Sequence, residues 1–117
     1  MTMAQRSDVV ERCIQACRDC NETCLETMTH CLNKGGEHAE TSHMKVLRDC
    51  GDSCCSTVEH MLRSSQFSSE YCDLCARICD ECATSCDQFK DDQRMSSCSE
   101  SCRGCGDVCR EMTRGAG

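Results

Sequence analysis

The sequence has no proline and no tryptophan, one tyrosine and two phenylalanines. Leu, Ile, Val and Phe together supply 14 of its 117 residues. Each shortage excludes something. Without proline, nothing forces a helix to kink or stop. Without a long apolar run, no segment spans a bilayer as a helix. An apolar inventory this poor, with a net charge of -7, is the composition of a disordered chain unless another residue fills a core. Basic blocks are missing too: Lys and Arg lie scattered among Asp and Glu, which argues against a nucleic-acid or anionic-membrane partner and reads as a solvated acidic face. A secretory leader is not expected either. The opening MTMAQRSDVVER has no apolar h-region, no cleavage site and one Arg ahead of its first apolar pair, so a cytoplasmic address is the default expectation.

What fills the gap is cysteine, with 17 residues. A free Cys behaves as a small buried hydrophobe. Many cysteines in a short chain usually signal secreted disulfides, but the count is odd and no export signal precedes them. In a reducing compartment such cysteines are expected to be thiols and metal ligands.

The length suits one domain, residues 1–117. Three breaks divide it into four cysteine-bearing segments: Asn33-Lys34-Gly35-Gly36, Ser64 to Ser69, and Lys90 to Gln93. The first segment offers Asp8 and Glu11 as a capping box. Its inward stripe is Cys13, Cys17, Cys20, Cys24, Met28 and Cys31, with gaps of 4, 3, 4, 4 and 3, the period of a straight α-helix. The second repeats that series with His43, Leu47, Cys50, Cys54, Val58 and Met61. The third carries Cys72, Cys75, Cys79, Cys82 and Cys86; the fourth carries Met95, Cys98, Cys102, Cys105, Cys109 and Met112. Charged and hydroxyl residues fill the intervals, and strand alternation fails throughout. Helices near 8–33, 38–63, 69–89 and 94–113 follow, joined by short connections. The fold class expected is all-α: an antiparallel up-down-up-down four-helix bundle with a cysteine-lined core. Gly104 and Gly106 should each weaken the last helix by roughly 1 kcal/mol relative to Ala.

On a helix, residues i and i+4 share one face. Cys13/Cys17, Cys20/Cys24, Cys50/Cys54, Cys75/Cys79, Cys82/Cys86, Cys98/Cys102 and Cys105/Cys109 each read as a two-thiolate clamp within one helix, and the i, i+3 pairs join the clamps into a ladder. Ordinary core packing would use Leu and Ile. Thiolates select Cu(I), Zn(II) or iron–sulfur clusters. Stacked tetrathiolate zinc sites would be dianionic and costly to desolvate, whereas one thiolate per Cu(I) is neutral. The ferredoxin cysteine run with its proline does not occur. Cu(I), many ions per chain, is the expected cargo. If each ion takes two sulfurs and each sulfur bridges two ions, capacity is on the order of 15–20 ions.

The bundle end holding the first and third breaks gathers Met28, Cys31, His43, Cys86, Met95 and Cys98. Weaker thioether and imidazole ligands there could pass ions inward, although Met28 and Met95 read equally as gap-fillers. His30, His38 and His60 lie off the stripe and read as solvated. Met61 and Met112 read as core at the opposite end. Cys55, also off the stripe, reads as a side ligand or an interface residue.

CIQACRDCNETC, the run from Arg48-Asp49-Cys50 to Cys54, and FSSEYCDLCARICDECATSC carry a resemblance. Over about residues 8–112 the chain resembles the four-helix-bundle copper storage proteins, the Csp family, and within it the cytosolic bacterial branch. The resemblance implies a lumen that binds many Cu(I) ions, a storage or detoxification role without catalysis, and homo-oligomers, often tetramers. The ligands it implies are Cys13, Cys17, Cys20, Cys24, Cys31, Cys50, Cys54, Cys72, Cys75, Cys79, Cys82, Cys86, Cys98, Cys102, Cys105 and Cys109. His43 stands where relatives have a cysteine early in the second helix and keeps a ligand there. Histidines near the third loop of relatives are replaced in this neighbourhood by Phe89. Expected partners are copper ions and the proteins that donate or accept them.

Three other readings compete. A helical zinc or mixed-metal buffer would use the same thiolates. A thiol oxidoreductase would use Cys-x-x-Cys, present at 17/20, 72/75, 79/82 and 102/105, but such motifs open a helix after a strand and four copies exceed one active site. A disulfide-stapled domain would strain repeated intrahelical bridges. The metal-free chain should remain largely helical, its protonated thiols packing as small hydrophobes.

Overall fold

The computed structural model describes residues 7–115; residues 1–6 and 116–117, which the single-domain expectation includes, lie outside the described residues. The helical stripes become four α-helices: α1 (Asp8–Lys34), α2 (Thr41–Leu62), α3 (Ser68–Cys86) and α4 (Gln93–Gly115), with a short 3-10 turn at Gly36–Ala39. Each helix packs on its neighbours in the chain, and α4 closes against α1. The result is an up-down-up-down bundle of 52 × 24 × 21 Å. No helix among the described residues is long and apolar enough to cross a membrane.

Local chemistry sets the ends. Ser7 caps α1, its Oγ accepting the Val10 N–H at 3.3 Å. Asp8, expected to be the cap, instead falls with Glu11 in the first turn, where a negative charge suits the helix dipole. Gly35, at a φ of 71°, ends α1 and donates its N–H to the Cys31 carbonyl. Helix α2 starts at Thr41, not near 38, because residues 36–39 are used in the 3-10 turn and Glu40 is the cap. The Glu40 carboxylate accepts the Ser42 N–H at 2.8 Å. Helix α3 stops at Cys86, not near 89. Asp87 turns outward to accept from Ser99 and Arg103 on α4, and turn bonds from the Phe89 and Asp92 N–H groups close the connection. Asp92 then caps α4 by accepting the Arg94 N–H at 3.0 Å.

The core is a column of thiols. Every stripe cysteine is at most 1% exposed, with Ile14, Leu47, Val58, Met61, Met95, Met112, Ala76 and Ala83 filling the remainder of the buried apolar set. Small side chains let the helices approach closely: Asn21 on α1 donates to the Gly51 carbonyl on α2 at 2.9 Å, and the Thr57 hydroxyl of α2 reaches the Tyr71 carbonyl of α3 at 3.3 Å. Outside, Arg12–Glu111 and Arg94–Glu26 tie α1 to α4, and Arg110–Asp80 ties α4 to α3. Exposed pairs of this kind contribute about 0–1 kcal/mol each, so they favour one arrangement of helices without accounting for its stability.

The two glycines of α4 differ. A Cβ on Gly106 would meet Asp80 Oδ1 at 3.5 Å and the Ala76 carbonyl at 3.7 Å, so this position lies against α3. A Cβ on Gly104 would meet nothing within 4 Å. Gly104→Ala should therefore stabilise the chain by about 1 kcal/mol, the helix-propensity difference, read as a higher urea midpoint. An unchanged or lower midpoint would contradict an open site there.

Candidate metal centre

The helical period brings one face of each helix to the bundle axis, so the four stripes meet as rows of sulfur. Sulfur–sulfur contacts of 3.5–3.9 Å run along the lumen. Cys17 meets Cys105 at 3.5 Å, Cys54 meets Cys75 at 3.7 Å, and Cys50 meets Cys79 at 3.7 Å. These contacts all join different helices. The two-thiolate clamp expected within a helix is thus not the shortest pairing. A cysteine side chain is short, and successive i, i+4 residues are about 6 Å apart along the axis, while the helices bring sulfurs of neighbouring rows closer.

Cys20/Cys24, Cys50/Cys54, Cys75/Cys79, Cys98/Cys102 and Cys105/Cys109 appear instead as edges of quartets. Cys17, Cys75, Cys105 and Cys109 place their sulfurs within 4.8 Å of one another. Cys54, Cys75, Cys79 and Cys105 do the same and share two members with the first group. Next come Cys20, Cys50, Cys54 and Cys79, then Cys20, Cys24, Cys50 and Cys102, then Cys24, Cys82, Cys98 and Cys102. Each quartet shares two sulfurs with the next. None of these five is an isolated four-ligand site, and eight of their twelve sulfurs belong to two quartets.

Toward one end of the lumen, Cys13 touches Cys109 at 3.7 Å, and the Cys72 thiol lies 3.9 Å from the Met61 sulfur, with buried Met112 at the same end. At the other end Cys86 is buried, and the Cys31 sulfur lies 3.6 Å from Met95 Sδ and 3.4 Å from His43 Nε2. His43 is 3% exposed, and a depression lined by Glu37, Glu40, Ser42 and Gln88 reaches it from outside. Its Nδ1 sits 2.6 Å from Ser85 Oγ. When Nδ1–H donates to that hydroxyl, Nε2 presents its lone pair to the lumen. Burial lowers the His43 pKa, so the ring stays neutral and able to ligate.

The thiols form a coupled set. Cys54, Cys79, Cys102 and Cys109 are pushed far above the ordinary thiol range, first by neighbouring sulfurs and then by burial. Cys20, Cys75 and Cys98 are drawn below it by the S–H groups donated to them. Cys31, at the edge of the lumen, is pushed up to about 11, mainly by burial and further by Cys98 and Asp92. Every cysteine of the chain is a free thiol.

All the stripe residues, His43 included, therefore line one continuous lumen, and Met28 packs against it. Cys55 does not: it is exposed, 3.8 Å from the Glu59 carboxylate. The histidines expected to be solvated are not simply so. His60 bonds the Ser56 carbonyl and stacks on Tyr71 at a centroid distance of 3.7 Å. His30 and His38 converge on Asp92 at 2.7 and 3.0 Å. The helical stripe cannot reveal that pairing, since it joins a helix, a turn and a loop. The signal available was topological: all three residues belong to, or adjoin, breaks at the same end.

Comparison with known proteins adds an independent line. The sequence profile of the copper storage protein family, Csp, matches residues 6–114. The cysteine-rich protein YhjQ of Bacillus subtilis is 36% identical over 102 residues, covering 87% of this chain and 94% of that protein. A Nitrosospira multiformis protein of known structure is 39% identical with a TM-score of 0.85, over 91% of this chain and 95% of the other. The Cu(I)-bound copper storage protein BsCsp3 is 35% identical with a TM-score of 0.85, over 91% and 99%. The metal-free Csp3 of Bacillus subtilis is 37% identical with a TM-score of 0.79, over 88% and 97%.

Proposed function

The chain belongs to the copper storage protein family, and we propose that it stores many Cu(I) ions on the thiolates of its lumen. The family stores metal and is not a family of enzymes. The observation that carries the reading is the run of edge-sharing sulfur quartets. Bridging sulfurs allow about one ion per thiolate, a lattice in which each Cu(I) cancels one negative charge. Zinc filling the same quartets would place one tetrahedral ion in each and hold far fewer ions than a lattice with one Cu(I) per thiolate. The ligands proposed are the sixteen stripe cysteines, with His43 completing the set beside Cys31 and the Met95 thioether as a weak neighbour. We place the store in the cytoplasm, where thiols stay reduced, and assign it to copper buffering or detoxification in exchange with donor and acceptor proteins. The resemblance favours assembly of several bundles, four by family habit.

A redox role fits the placement poorly, because thiol exchange needs an accessible thiolate and the four Cys-x-x-Cys motifs are buried inside helices. Anaerobic titration of the reduced protein with Cu(I), against a chromogenic Cu(I) chelator, tests the proposal. More than about ten equivalents should be withheld before the chelator responds, as ligand sharing requires. Saturation after one or two would mean that the stripe is mostly packing. Zinc retained in preference to Cu(I) would favour the zinc-buffer reading.

A further inference from the structure

At the His43 end, outside the lumen, two imidazoles are aimed at a single carboxylate oxygen. His30 Nε2 lies 2.7 Å and His38 Nε2 3.0 Å from Asp92 Oδ2. The three residues come from separate segments: His30 from α1, His38 from the 3-10 turn and Asp92 from the α3–α4 connection. The side chains are partly buried, with exposures of 29, 18 and 12%. The Phe89 ring packs on His38 at 4.0 Å and fixes its plane, and the His30 and His38 rings stand edge-on at 6.0 Å. Asp92 already uses Oδ1 to cap α4, so Oδ2 with two ring nitrogens is a convergent N,N,O donor set.

We propose that His30, His38 and Asp92 form a rim site for one divalent cation of the zinc class, separate from the thiolate lumen and independent of what the lumen stores. Two imidazoles and a carboxylate suit Zn(II) and its borderline neighbours, and are poor competitors for Cu(I), which prefers thiolate. Metal–nitrogen and metal–oxygen bonds of about 2.0–2.2 Å put donor atoms roughly 3.3 Å apart in a tetrahedral site. To reach that spacing the His38 contact of 3.0 Å opens by about 0.3 Å and the His30 contact of 2.7 Å by about 0.6 Å. The fourth position faces the rim, where water can complete the shell. The ions that oppose it are Lys34 and Lys90 and the one that assists is Asp91, all lining the depression beside His38 and Asp92. No proton need be lost beyond a shift of each ring proton from Nε2 to Nδ1.

The test uses the whole chain, reduced and loaded anaerobically with Cu(I) to occupy the thiolates, then dialysed against zinc chloride. One zinc per chain should be retained, and the ring-nitrogen NMR signals of His30 and His38 should shift while His60, stacked on Tyr71 at the other end, stays in place. His38→Ala and Asp92→Asn should each lower zinc affinity at least tenfold. Asn keeps an oxygen for the Arg94 N–H, so the α4 cap survives. No retained zinc overturns the proposal, as does zinc that leaves the two rings unmoved or is held equally by both variants. Copper content is measured first, so a failure to store copper registers there; the ring signals report the rim site even if the lumen itself takes zinc.

Discussion

Anaerobic loading with Cu(I) should carry the thermal midpoint of the bundle from the ordinary range of about 45–65 °C to above about 90 °C. The metal-free fold has little to hold it. Its buried set is dominated by cysteines, with Ile14 and Leu47 the largest fully buried side chains, and small side chains remove little apolar surface from water. Its outer ion pairs are exposed and weak. Metal changes the balance because ions that bind the folded lumen draw the equilibrium toward it. A single site at a hundredfold excess over its Kd contributes about 2.7 kcal/mol. Four such sites alone contribute about as much as the whole stability of a typical domain, roughly 5–15 kcal/mol. The unfolded chain also has thiols and binds some Cu(I), which subtracts from the gain. It lacks the shared sulfurs of neighbouring quartets, so the subtraction is partial. Far-UV circular dichroism of metal-free and loaded protein, melted side by side under nitrogen, measures the difference. Coincident melting curves would show that copper is held outside the folded lumen. The same experiment reads the metal-free baseline, where helical signal at room temperature is the expected result.

The stripes made most of this arrangement legible. A gap series of 4, 3, 4, 4, 3 is a helical face whatever residue occupies it, so four helices, their order and the lumen-facing set could be read with cysteine in place of leucine. The ends were less legible because capping chemistry decided them. Glu40 and the 3-10 turn displaced the start of α2, and Asp87, drawn to Ser99 and Arg103, ended α3 at Cys86. The pairing of sulfurs was also beyond a one-helix argument. Periodicity places Cys50 and Cys54 on one face, but the approach of Cys50 to Cys79 and Cys102, and of Cys54 to Cys75, depends on how far apart the helices stand. The His30–His38–Asp92 cluster was hidden for the same reason: its members share no period, only an end of the bundle.

Acid should release the store, and alkali should loosen the empty bundle. Copper binds the thiolate, and at neutral pH the metal-free lumen keeps protons on the sulfurs whose pKa is raised, among them Cys31, Cys54, Cys79, Cys102 and Cys109. Cys31 is the clearest case, its pKa pushed from 9.0 up to about 11 by burial, with Cys98 and Asp92 adding to the rise. At one ion per thiolate, each Cu(I) that binds one of these sulfurs displaces about one proton. Below about pH 9, the apparent affinity for each ion should fall by about tenfold for every unit that the pH is lowered, or about a hundredfold between pH 7 and pH 5. For the empty protein the sign reverses. A thiol whose pKa is higher folded than unfolded stabilises the fold fully below the unfolded value of 9.0, and that contribution is lost as the pH rises through the folded value of about 11. Unloaded protein should accordingly lose stability between about pH 9 and 11, while loaded protein, whose thiolates are already deprotonated and neutralised by metal, should hold its midpoint across the same window. Chelator competition at several pH values gives the first slope, corrected for the chelator's own protonation, and urea midpoints of both forms give the second. A flat affinity between pH 5 and 8 would mean that the lumen is already ionised before metal arrives. The empty bundle would then carry many buried negative charges, and its stability would rise, not fall, with salt.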